Sequence, residues 1–195
     1  MVAFQCSRMC LALACTALWF ANLNVPASMC AASVAMAQYL GSTRLGFGLD
    51  GADQMQTVVW AGLAMAGVSP HAGLFLISGQ ALLAYWISGL AKLAGSSWRA
   101  GVAPGKIATT VAHGSATATM LLGRFSGIAA VATIIFEVAG PFMVFTGFVG
   151  GLLFVTCAAA FHVTIAASIG LNNFVWAFGG ALPAVLWLAS SLPTS

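Results

Sequence analysis

Lys92, Glu137 and His162 are the side chains best placed to do chemistry, because each falls within or at the edge of a long apolar run. On insertion scales a lysine or aspartate at the centre of a membrane helix costs about 2.5–3.5 kcal/mol. These three groups should therefore face the interior of a helical bundle. Tyr85, then Ser88 or Gly89, then Lys92 follow at i, i+3/i+4 and i+7, which is one helical face, with Gln80 further back. An amine desolvated by apolar walls gives up its proton more readily and can act as a base or an ion-binding group. A lysine near a helix end can equally snorkel to the headgroups. Glu137 precedes Pro141 by four residues, and a proline has no N–H to offer the Glu137 carbonyl. A loosened backbone beside a buried carboxylate suits a site, and it also suits a kink in which Glu137 pairs with Lys92 or Arg124. His162 can also be a structural group that hydrogen-bonds a carbonyl of a neighbouring helix.

The elements that must hold these groups follow from composition. Of 195 residues, 61% are hydrophobic and 5% are Asp, Glu, Lys or Arg, against about 25% charged in a soluble domain. So few charges cannot hydrate the surface of a globule, and disorder needs low hydrophobicity. A nucleic-acid module is excluded because six basic residues spread along the chain make no basic stripe. Long apolar runs rich in Ala, Leu and Gly, without period-two alternation, point to membrane helices rather than a barrel. The fold class is all-α, a single polytopic bundle over residues 1–195, in contact with lipid and free of nucleic acid. An integral, multi-pass place in a bacterial inner membrane is expected.

About six spans are predicted, with an interfacial or re-entrant helix. The first segment, 9–39, is expected as a long membrane helix kinked or interrupted near Asn22–Pro26. Arg8, the apolar stretch after it and Ala35-Met36-Ala37 also resemble a signal peptide with its cleavage site. A polar break at 41–54 carries Arg44, Asp50 and Asp53, the aspartates reading as a solvated pair. The second apolar segment, 56–68, is short unless 51–55 joins it. After a turn at Ser69-Pro70-His71 comes the third, 72–93. The polar stretch 94–123, with Trp98, Arg99, Lys106 and His113, reads as a loop and then the interfacial helix. Spans at 125–148, 151–169 and 174–189 complete the chain. Five cysteines, odd in number and set in apolar runs, argue against a disulfide framework. Cys6 and Cys10 share a helix face but lack His or carboxylate neighbours, so no metal is expected. Four of the basic residues fall on the side opposite Arg8 in a six-span chain, which conflicts with the positive-inside rule. A hairpin in the first segment, or a crossing by 106–123, would remove that conflict.

No G-x-S-x-G, P-loop, Rossmann fingerprint, C-x-x-C or H-E-x-x-H is present. Residues 80–101 read QALLAYWISGLAKLAGSSWRAG. The pattern Q-x4-Y-x3-G-x2-K-L-x4-W-x2-G resembles the signature of the horizontally transferred transmembrane (HTTM) domain. That domain is shared with vitamin K-dependent gamma-carboxylases and the sporulation-delaying protein B family. The order downstream is similar: Phe136-Glu137-Val138-Ala139-Gly140-Pro141, then Phe161-His162, then a final apolar helix, so that the likeness covers about residues 39–188. The resemblance implies that Lys92 matches the lysine that acts as base on reduced vitamin K. Glu137 and His162 would be its polar partners, and Gln80, Tyr85 and Trp98 pocket residues. It also implies a quinone or another lipid-like molecule as the bound group, since a pocket among apolar helices suits one. The carboxylases carry a large extramembrane portion that this chain lacks, which speaks against carboxylation of a protein by this chain alone. The alternative is a non-enzymatic membrane subunit that anchors other membrane-protein subunits. A transporter is disfavoured by the lack of inverted repeats.

Overall fold

The computed structural model of the chain describes residues 2–45, 50–110 and 116–192. His113 lies outside them, as do the side chains of Cys6, Arg8 and Arg44. The described regular structure is helical. In order it comprises α1 (Val2–Phe20), α2 (Asn24–Leu45), α3 (Gly51–Ala66), α4 (Pro70–Ala94), α5 (Ser96–Arg99), α6 (Ala103–Ala108), α7 (Ala116–Ala139), a 3₁₀ segment (Gly140–Thr146), α8 (Phe148–Ile169), α9 (Asn172–Gly179) and α10 (Leu182–Ser191). Four stretches are long and apolar enough to cross a membrane: Pro70–Ala94, Ala118–Thr146, Phe148–Ile169 and Asn172–Ser191. A 22-residue helix is about 33 Å long, against about 30 Å of hydrocarbon. The chain thus reads as a multi-pass integral membrane protein.

The chain divides inside α4 into two compact units, residues 1–80 and 81–195. In the first unit, the segment expected over 9–39 is interrupted, not kinked, at Asn22–Pro26, and forms a hairpin of α1 and α2. The cause is local. Asn22 adopts the left-handed conformation, φ 57°, a region that asparagine tolerates better than most residues. Leu23 N–H then bonds the Leu18 carbonyl at 2.9 Å, and Asn22 N–H bonds that of Trp19 at 3.0 Å. This is the paired closure of a Schellman end. Pro26 falls in the first turn of α2, where its missing N–H costs nothing, instead of kinking a continuous helix.

The two helices pack through small buried residues, Cys15, Ala27 and Ala31, bordered by Trp19, Trp60 and Leu63. The Cys15 thiol donates to the Ala27 carbonyl at 3.3 Å. Buried Gln38 ties α2 to α3, donating to Gln56 Oε1 at 3.0 Å and to the Asp53 carbonyl at 3.2 Å. The Asp50 carboxylate caps α3 by accepting from Asp53 N–H at 2.7 Å. Residues 51–55 therefore do join the second apolar segment.

In the second unit many large aliphatic side chains are exposed, among them Ile87, Leu90, Ile128, Val131 and Ile135. The interior holds alanines with Tyr85, Phe154, Phe178 and Val185. That distribution suits lipid as the surrounding solvent, where small residues let helices approach closely. Pro141 ends α7 instead of bending it: the helix closes at Ala139 and continues as 3₁₀. A second irregularity lies at Phe125, where φ −109° and ψ 18° break the helical run. The polar stretch 94–123 contributes α5, α6 and the start of α7.

Candidate functional site

Helix α4 begins with Pro70 at its first position after Ser69, the place where proline is best tolerated. From there an uninterrupted α-helix carries Tyr85, Ser88, Gly89 and Lys92 to one face. Tyr85 and Gly89 are buried, whereas Ser88 and Lys92 are half-buried. Gly89 is required by close approach. A Cβ added there would lie 2.8 Å from the backbone nitrogen of Val138. The absence of a side chain thus lets α4 and α7 touch at the level of Glu137.

Two polar pairs occupy this face. In the first, Lys92 Nζ donates to Glu137 Oε2 at 2.6 Å and to Ser88 Oγ at 2.5 Å. The Lys92 ammonium lies 5.3 Å from the ring centroid of Trp98 in α5, within the range of a cation–π contact. The side chain of Lys92 retains 19% exposure and that of Glu137 6%. The Lys92 side chain turns to the carboxylate of α7.

In the second pair, the Tyr85 hydroxyl and His162 Nε2 are 2.6 Å apart. An aromatic shell encloses them. Phe178 stacks on the imidazole at 4.5 Å between centroids and an interplanar angle of 21°, and Phe154 and Phe136 meet Tyr85 edge-on at 5.3 and 5.7 Å. His162 Nδ1 is buried and has no hydrogen-bond partner among the described residues. The imidazole does not, then, bond a carbonyl of a neighbouring helix, which was its alternative reading.

Of the six residues singled out from sequence, Lys92, Glu137 and Trp98 meet at the ion pair, while Tyr85 and His162 meet at the neutral pair. Gln80 is the last residue of the first unit and is half-buried; both pairs are built from residues 81–195 alone. Two further residues take part. Ser88 was placed on the Lys92 face by its spacing, though not given a role. Phe178 carries no sequence signal, since one phenylalanine in an apolar helix looks like any other. Chemically, the first pair can hold or move a proton between an amine and a carboxylate. The second can hold a phenol and an imidazole in fixed relation within an apolar shell. Among the described residues no group of three or more His, Cys, Asp or Glu is placed to hold a metal. Compared with known proteins, the chain matches no family model, no curated protein and no solved structure.

Proposed function

We propose that the chain is an HTTM-like integral membrane protein whose intramembrane site is built on Lys92 and acts on a quinol-like lipid or a membrane-presented peptide. The observation that carries this reading is the close Lys92–Glu137 contact between two apolar helices. Two opposite charges in such surroundings are held together because separating them leaves each uncompensated. Transfer of one proton from Nζ to Oε2 leaves a neutral amine and a neutral acid, neither of which needs the hydration an ion does. The amine is then a base able to take a proton from a hydroxyl presented beside it. Ser88 fixes the amine's direction, and the Trp98 ring forms one wall. The Tyr85–His162 pair, two turns back along α4, supplies a polar point in an otherwise aromatic interior. A quinone or another lipid-like molecule is the ligand that fits a base set among apolar walls.

The test uses purified full-length protein in lipid nanodiscs with a reduced naphthoquinone as probe. Its oxygen-dependent consumption should be seen with the unaltered chain and lost in Lys92→Ala, while the variant remains monodisperse. Consumption that survives this change removes the catalytic reading.

A second reading is favoured by the completeness of the pair, since each charge already has its partner. In that reading the protein is a non-enzymatic membrane subunit, and the pair is a clamp between α4 and α7. Purification from native membranes would then bring down defined membrane-protein partners, and exchange of the pair for Met and Leu would leave that complex intact.

A further inference from the structure

Trp19 of α1 and Trp60 of α3 line one cleft of the first unit, together with Cys15, Thr16, Phe20 and Leu63. Its volume is about 300 Å³, against about 150 Å³ for an apolar cavity that takes up benzene. Thr16 and Phe20 are exposed, so the rim reaches the surface of the unit, whereas Cys15 is buried. None of the six side chains carries a charge. The two with a thiol or hydroxyl proton spend it on the backbone of the hairpin. Cys15 Sγ donates to the Ala27 carbonyl at 3.3 Å, and Thr16 Oγ1 donates to the Ala12 carbonyl at 3.0 Å. A charged guest would find no counter-charge here and would lose its hydration. Left empty, the walls forfeit their dispersion contacts, and a hydrocarbon restores them without desolvating anything polar.

The depth of the cleft follows from the start of α4. Its 25-residue span opens at Pro70, so the turn before Pro70 marks the level at which the chain enters the apolar layer. Residues 70–80 belong to the same unit as the cleft. Helix α3 packs on the beginning of that span. A Cβ added to Gly62 would lie 2.9 Å from the Gly73 carbonyl oxygen and would meet the Ile77 side chain. Gly73 and Ile77 lie about 5 and 10 Å past Pro70 by helical rise. Gly62 stands between Trp60 and Leu63, so this wall of the cleft sits at the depth of upper acyl carbons. Tryptophan is enriched close to the membrane–water boundary, which suits both indoles. The outside of the unit is apolar as well, since Leu13, Val25, Met29 and Met36 each expose more than half of their surface.

We infer that the cleft between α1 and α3 holds the upper part of one acyl chain of a bilayer lipid, and that it selects the chain and not the headgroup. A neutral, slender hydrocarbon is what an uncharged cleft at this depth can accept, and it enters from the lipid through the Thr16–Phe20 rim. The seat is independent of any role for Lys92.

The test uses the full-length chain in lipid nanodiscs doped with phosphatidylcholine or phosphatidylglycerol carrying a diazirine on an upper acyl carbon. Irradiation is followed by peptide mass spectrometry. Label should gather on residues 15–20 and 60–63, saturate as the doped fraction rises, and be equal for the two headgroups. A diazirine at the methyl end of the chain should label the cleft less. T16W fills the cleft from its exposed rim and should lose this label while label elsewhere is unchanged. Label that rises without saturating marks ordinary lipid contact and overturns the inference. So does label that depends on the headgroup, label that is stronger from the methyl end, or label that persists in T16W. An unlabelled cleft also overturns it, and a dimer by light scattering in that case would assign the cleft to a second copy. If T16W does not yield monodisperse protein, T16F decides: weaker label at the cleft is expected, and no change contradicts the seat.

Discussion

The Lys92–Glu137 pair and the Tyr85–His162 pair share helix α4, seven residues and about 10 Å apart, yet they handle polarity in opposite ways. The first is charged, partly exposed and closed on itself, with Ser88 as a third member. The second is built from groups that can both be neutral. It is buried in phenylalanine, and one imidazole nitrogen has no partner among the described residues. The contrast separates two tasks. Opposite charges brought together offset part of each other's need for water. Neutral hydrogen-bonding groups are cheaper to bury but hold their protons in place.

The largest effect that would break this comparison comes from removing one member of the charged pair. Glu137→Ala leaves the Lys92 ammonium uncompensated and should destabilise the protein by about 3 kcal/mol, the low end for broken buried pairs because Lys92 keeps some exposure. Unfolding in mixed detergent micelles would measure it. Loss below about 1 kcal/mol would mean that the pair behaves as a surface contact.

Gly89→Ala should follow, costing about 1–3 kcal/mol as the new methyl drives Val138 and Glu137 away from α4. The same unfolding assay reads the cost. A cysteine cross-link between α4 and α7 would report the separation.

The neutral pair should answer differently. Tyr85→Phe strands His162 Nε2 and should cost about 1–3 kcal/mol, whereas Y85F/H162F replaces both polar groups by rings and should recover most of that loss. A double-mutant cycle on the unfolding free energy checks this. Strict additivity of the two changes would show that the 2.6 Å contact contributes no coupling. The smallest effect is expected from Phe178→Leu, about 0.5–1.5 kcal/mol beyond the loss of buried area, because it removes the ring stacked on His162.

Much of the charged pair was legible before any coordinates. Lipid makes an ionisable side chain expensive, so Lys92 and Glu137 had few places to go except toward each other. Helical spacing alone put Tyr85, Gly89 and Lys92 on one face. The pairing of Tyr85 with His162 was not legible, because it depends on where α8 lies against α4, and apolar helices of similar hydropathy carry little register information. The place of the break between α1 and α2 was legible, but its cause was not: the turn belongs to Asn22 rather than Pro26, and a left-handed backbone is a choice that asparagine permits but does not announce.

The central claim is that the charged pair works and does not merely hold. The most direct measurement compares the unaltered chain with K92M/E137L in nanodiscs, following folding stability and reduced-naphthoquinone consumption on the same sample. Apolar side chains of similar volume can replace a buried pair with little loss of stability, so the variant should unfold close to the unaltered chain. The account predicts consumption by the unaltered chain and none by the stably folded variant. Equal consumption by both, or none by either, would contradict it and leave the pair as a clamp between α4 and α7.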